Sequence, residues 1–298
     1  MTTVEYSTYA TAMAARDQTK DARYLYDDRS AIYDASWHPR FARHVVERTR
    51  PQPGEHVLDL ACGTGLVTYA ASEAVGASGR VVGVDISAGM LAQAERKKQS
   101  HSLQNVQFFK HSITSLGTLD AIADQKFDIT TCASALVLLE KPAEALQHWA
   151  RYLKPKGRLI TDATHSRSQL AHITLERVGK ILGQPVPTYR LPFQSGKDLQ
   201  NMMEDAGLGK VDVRLVSQLG TADERQDLEA YLCEEDRPTA AKTFNRGDGA
   251  EVFERLINSR FSEALAQPGI REKARALFLI ERAKLNDERG VIEEVDGV

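Results

Sequence analysis

The stretch Glu55-His56-Val57-Leu58-Asp59-Leu60-Ala61-Cys62-Gly63-Thr64-Gly65 constrains the fold more than any other part of the chain. Val57, Leu58 and Leu60 make a short apolar run suited to a buried parallel strand, and it breaks at a turn of small residues. Glycine has no Cβ, so at Gly63 and Gly65 the main chain can approach a ligand closely. Twenty positions after Gly65, the run Val81-Val82-Gly83-Val84 ends in Asp85. Neighbouring parallel strands of a doubly wound sheet end side by side at the ligand crevice, so a carboxylate there can accept both hydroxyls of a ribose. The pattern predicts a nucleotide-like cofactor site with Asp85 as its ribose ligand.

From residue 51 to about 165, strand-like and helix-like segments alternate, which predicts an α/β chain with a parallel sheet covered on both faces. Strands are expected near 56–60, 80–84, 105–109, 127–133 and 157–163. A helix is expected over 142–153, with Pro142 at its first position and Leu146, Trp149, Ala150 and Leu153 at helical spacing. Another is expected at 39–49. Leu199, Met202, Met203 and Ala206 predict a helical face closed by Gly207, and the alternation of Val211, Val213 and Leu215 predicts a strand. The organisation that follows is an N-terminal helical cap (1–50), a cofactor-binding core (51–165), a lid insertion (166–194) and a core continuation (195–217). A C-terminal helical lid over the substrate, with the start of a last strand, takes 218–298.

At 298 residues, 42% hydrophobic and 27% charged, the chain can bury a sizeable core. A net charge of -3 and no Lys/Arg block argue against a nucleic-acid partner. Cys62, Cys132 and Cys233 form no Cys-x-x-Cys pair, which fits a reducing compartment and shows no structural zinc site. No run approaches the roughly 18 apolar residues of a membrane span, and the first residues lack a basic stretch leading into an apolar core. A cytoplasmic protein is expected. The oligomeric state is not legible, and a homodimer is compatible with the sequence.

The motifs resemble those of the class I S-adenosylmethionine-dependent methyltransferases, in particular the ubiquinone and menaquinone biosynthesis C-methyltransferase group. Val57-Leu58-Asp59-Leu60-Ala61-Cys62-Gly63-Thr64-Gly65 is similar to the family's first motif, with Ala61 where glycine is commoner. Val82-Gly83-Val84-Asp85-Ile86-Ser87, followed by Met90 and Leu91, resembles the second. Phe127-Asp128 matches the start of the fourth strand, and Leu153-Lys154-Pro155-Lys156-Gly157-Arg158-Leu159 resembles the turn that launches the fifth. The resemblance covers roughly residues 25–165. It implies a Rossmann-like, doubly wound, seven-stranded, mostly parallel sheet and S-adenosyl-L-methionine as cofactor.

By the same resemblance, Gly63 and Gly65 bring main chain, with Ala61 and Cys62, against the methionine part of the cofactor. Asp59 lies near its amino group. Asp85 takes the ribose, Ile86 and Met90 flank the adenine, Ser112 and Ile113 bound its far edge, and the tip of strand four, Cys132 to Ala135, passes close to the sulfonium. Tyr26 and Tyr33 belong to a tyrosine-containing cap. Two departures stand out: Ser112 occupies a position where many members have Asp, and the chain stops before the last antiparallel strand would be complete.

Methyl transfer from a sulfonium is an in-line displacement with a preactivated electrophile, so the protein mainly aligns the acceptor and excludes water. His165, delivered by the fifth strand to the carboxyl edge of the sheet, is the candidate base, with a surface histidine as the competing reading. His38 and His111 are weaker candidates. No converging set of oxygen ligands accompanies Asp162, so no metal is expected. A small organic acceptor fits best. Two alternatives stay open: a protein that keeps the fold and cofactor but acts as a scaffold or on another reaction, and a nicotinamide-dependent dehydrogenase. Against the latter, Thr68 stands where a dinucleotide fingerprint needs its third glycine.

Overall fold

The computed structural model describes residues 23, 26–27, 30–31, 33–35, 38–101, 103–163 and 195–214. All of them fall in one compact unit, Gln18–His165 with Arg190–Gly220. Helix α1 (His38–Thr49) leads into β1 (His56–Leu60), α2 (Leu66–Val75), β2 (Arg80–Asp85), α3 (Ala88–His101) and β3 (Val106–Lys110). There follow β4 (Phe127–Cys132), α4 (Pro142–Ala150), β5 (Leu153–Thr161) and α5 (Gly196–Asp205).

The strands pair in the order β3-β2-β1-β4-β5, and every pairing is parallel. The chain builds outward from β1 to β3, then crosses back to place β4 beside β1, and this reversal opens a crevice at the carboxyl ends. β1, β2 and β4 are almost continuously buried because helices cover both faces of the sheet. One face carries a cluster including Leu58, Leu60, Phe127, Leu146 and Trp149, joined by Leu199 and Met203 of α5; Val57, Ala71, Val75, Val81, Val106 and Ile129 form another.

Several expectations are corrected. The fourth helix stops at Ala150 rather than at 153, because Tyr152 and Leu153 are taken by the sheet: Phe127 donates its amide to the Tyr152 carbonyl (2.8 Å) and Leu153 pairs with Phe127. β5 thus begins at Leu153, not at 157, and absorbs Pro155 and Gly157 in a bulge where the register jumps between Phe127 and Ile129. At 211–214 burial alternates as a strand's would, yet the segment pairs with none of the described strands. Five strands are therefore described, all parallel; Leu215 and residues 291–298 lie outside the described residues.

Helix α5 follows its sequence pattern, with Leu199 and Met203 buried. Ser195 and Asp198 close a capping box at its start, and Gly207 follows its end at φ 83°. Among the described residues no helix is long and apolar enough to cross a membrane.

Candidate active site

The carboxyl ends of the four strands β1 to β4 open on a single cleft. Ala61 and Gly63 come from the turn after β1, Asp85 and Ile86 from the end of β2, and Met90 from α3. Ser112, Ile113 and Thr114 follow β3, and Ala133, Ser134 and Ala135 follow β4. Leu138 and Leu139 complete the apolar side.

Asp85 is 7% exposed, and its carboxylate is held by two main-chain donors, Gly63 N–H to Oδ2 (2.8 Å) and Ser87 N–H to Oδ1 (2.8 Å). The glycine turn after β1 is thereby tied to the acid ending β2. Burial pushes the Asp85 carboxyl above its ordinary range, while the amides of Ser87, Gly63 and Ile86 pull it back. Gly63 adopts φ 56°, and a Cβ there would meet nothing within 4 Å, so its α-carbon borders open space. Ala61 adopts φ 53°, a left-handed conformation that glycine would hold without strain.

Beneath this rim, Asp59 is 1% exposed and accepts the hydroxyls of Thr68 (2.5 Å) and Thr131 (2.8 Å). Burial raises its pKa to about 6, against the pull of the two hydroxyls. Thr68, at the place of a dinucleotide fingerprint's third glycine, thus has a definite employment: it anchors the buried acid.

The wall after β4 is set by a second acid. Ser134 sits at φ 58°, with its N–H donating to Asp162 Oδ1 at 2.6 Å. Burial raises the Asp162 pKa to about 6. Among the described residues the Ser134 hydroxyl, buried at the cleft wall, has no hydrogen-bond partner. On the β3 side, the indole of the fully buried Trp149 donates to the Ile113 carbonyl (2.8 Å) and fixes that edge.

Tyr26 and Tyr33 both line the cleft, with their rings edge to face at 6.2 Å. They do not share one regular helix, since Tyr33 opens a separate 3-10 turn, Tyr33–Ala35, and its ring stacks on His38 at 3.9 Å. Nine expected site residues, Tyr26, Tyr33, Ala61, Gly63, Asp85, Ile86, Met90, Ser112 and Ile113, therefore meet at one cleft.

Asp59, Cys62, Gly65 and Cys132 do not line it. Cys62 and Cys132 are buried thiols, and at Gly65 a Cβ would stand 2.6 Å from the Tyr69 ring, so that glycine makes room for an aromatic. His165 lies outside the described residues. Of the expected strand-four tip, Ala133, Ser134 and Ala135 line the cleft; Thr114, Leu138 and Leu139 were missed because irregular segments carry them, where no periodicity marks the inward side. Asp27 and Asp34 were missed although each follows a selected tyrosine. Among the described residues no group of three or more His, Cys, Asp or Glu is placed to hold a metal ion.

Residues 51–207, over half the chain, match a family model described as a methyltransferase domain. The chain belongs to that methyltransferase family. It is an S-adenosyl-L-methionine-dependent methyltransferase of the class I type. Similar proteins include the demethylmenaquinone methyltransferase of Alkalihalophilus pseudofirmus, 28% identical over 63% of this chain and 85% of its own length. That of Lactococcus lactis subsp. lactis is 27% identical over 63% of this chain and 79% of its own. A solved SAM-dependent methyltransferase from Aquifex aeolicus is 21% identical, covers 56% of this chain and 78% of its own, and gives a TM-score of 0.43. The scaffold and dehydrogenase alternatives are not favoured by the family match.

Proposed function

We propose that the cleft between Gly63 and Ser134 is where this methyltransferase holds S-adenosylmethionine and presents it to a small, largely apolar organic acceptor without a metal. The observation that carries the reading is Asp85: a carboxylate clamped by two amides at the cleft, with lone pairs left for paired ribose hydroxyls. Ile86 and Met90 supply apolar surface for the adenine, Ser112 and Ile113 bound its edge, and Tyr26 and Tyr33 cover it. Asp59, just below the turn, places negative charge under the cationic end of the cofactor. Ala133, Ala135, Leu138 and Leu139 form the acceptor's wall, in keeping with relatives named as demethylmenaquinone methyltransferases.

The bound cofactor supplies a methyl group already activated by its sulfonium. The chain's own work is to hold the acceptor in line with that group, exclude water and receive a proton where the acceptor loses one. His165 is proposed for the last role. The same reading takes the protein as cytoplasmic, without a nucleic-acid partner.

Calorimetric titration with S-adenosylmethionine tests the site. Asp85→Ala should weaken binding by roughly 1.5–3 kcal/mol, the loss of hydrogen bonds to a charged group. Unchanged affinity would remove Asp85 from the site. Candidate quinols and phenols, screened with a radiolabelled methyl donor, test the acceptor class; transfer only to strongly charged acceptors would refute the apolar wall.

A further inference from the structure

Tyr26 and Tyr33 have a part in the reading above, whereas the acids that follow them do not. Tyr26-Asp27 and Tyr33-Asp34 repeat seven residues apart, and in each pair the tyrosine lines the cleft while the acid engages the core. Asp27 Oδ1 accepts from the Ser87 hydroxyl (2.6 Å) and from the Gly89 amide (2.8 Å). Both donors stand at the start of α3, where the helix dipole favours a negative charge. Ser87 also accepts the Met90 amide (3.0 Å), so one hydroxyl joins the helix end to a segment sixty residues upstream.

Gly89 supplies an independent observation. A Cβ there would lie 2.8 Å from the Asp27 carbonyl oxygen, 3.0 Å from its α-carbon and 3.1 Å from Ser30 Oγ. The main chain at Asp27 rests directly on a bare α-carbon, and any side chain would displace it. The second acid, Asp34, accepts the Thr64 hydroxyl (2.6 Å) and pairs with Lys97, which also donates to the Thr64 carbonyl (3.0 Å). Thr64 belongs to the glycine turn, so this anchor reaches the cofactor loop itself.

We propose that the seat formed by Ser87 and Gly89, occupied by Asp27 and seconded by the Asp34–Thr64–Lys97 cluster, holds Tyr26 and Tyr33 in the cleft wall and so sets how tightly the cofactor is bound. Asp27 and Gly89 are positioning residues, neither touching the cleft. The proposal rests on the reading that this cleft takes S-adenosylmethionine. Gly89→Ala is the sharper variant: alanine favours a helix over glycine, so it strengthens α3 as a helix while blocking the seat.

The experiment titrates the full chain with S-adenosylmethionine and with S-adenosylhomocysteine, and records the thermal midpoint without ligand. Asp27→Ala and Gly89→Ala should each weaken both ligands by about tenfold, with the loss of the seat's own contacts lowering the thermal midpoint by only a few degrees. Adding Tyr26→Ala to Asp27→Ala should cost little more than the worse single change, because the seat acts through the tyrosine. Wild-type affinity in Gly89→Ala, or additive losses in the double variant, overturns the proposal. Should Asp27→Ala fail to fold, Gly89→Ala alone still decides. Absence of binding by the wild-type chain would overturn the cofactor reading and the proposal together, whereas failure of the seat alone leaves the Asp85 variant weakened.

Discussion

Replacing Asp59 by asparagine should make the folded chain more stable above pH 6 and leave it little changed near pH 4. The side chain is 1% exposed, and its hydroxyl partners, Thr68 and Thr131, do not offset the loss of water around a carboxylate. Its pKa stands at about 6 instead of the ordinary 3.8. A folded-state pKa raised above the unfolded one means that stability is fully present below about 3.8 and is lost as pH rises through about 6. At pH 8 the ionised group then opposes folding by ~3 kcal/mol.

Asparagine has the same shape, accepts from one threonine through its carbonyl and donates to the other's hydroxyl oxygen. The expected gain at pH 8 is therefore about 1–3 kcal/mol. Urea unfolding followed by circular dichroism at about pH 4 and about pH 8 reads it directly. A variant no more stable than wild type at the higher pH, or a difference independent of pH, would refute the burial argument. S-adenosylmethionine affinity should move the other way, since the variant removes negative charge beneath a cationic ligand. Stability given up at a site for function takes this form.

Three other substitutions probe the cleft's frame. Gly65→Ala should destabilise by about 2–3 kcal/mol, because the residue sits at φ 84° with the Tyr69 ring 2.6 Å from the added carbon; a loss below 1 kcal/mol in urea unfolding would contradict it. Ala61→Gly should raise stability by about 0.5–1 kcal/mol by relieving a left-handed alanine at φ 53°, and a midpoint lower than wild type counts against it. Trp149→Phe leaves the buried Ile113 carbonyl unpaired and should cost about 1–3 kcal/mol. Because Ile113 lines the cleft, cofactor affinity measured by calorimetry should fall as well, and intact affinity would show that the indole bond does not position that edge.

The parallel sheet and the glycine turn after β1 were legible in the sequence because both are local signals. A buried strand flanked by helices must be apolar along its length, and the turn that follows must be built of small residues. Thus β1 to β4 lie where the apolar runs placed them, to within a residue or two, and Ala61, Gly63, Asp85, Ile86, Met90, Ser112 and Ile113 meet at one cleft. The errors came where a distant partner overrides the local pattern. Helical spacing ran through Leu153, yet β4 captures that residue for the sheet.

The division has a physical cause. The sequence by itself determined the class of fold and which residues end beside one another at the cleft, since periodicity and turn chemistry are properties of neighbours along the chain. Only the tertiary structure decided which residues face the cleft and which support it from below. Asp59 and Asp85 look equivalent as acids near a glycine turn, but one is sealed under two threonines and the other is clamped by main-chain amides at the rim. Asp27 and Gly89 carry no signal of their own. Their connection exists because folding brings a segment sixty residues away onto a helix end, and a hydrogen bond of that span leaves no trace in local sequence.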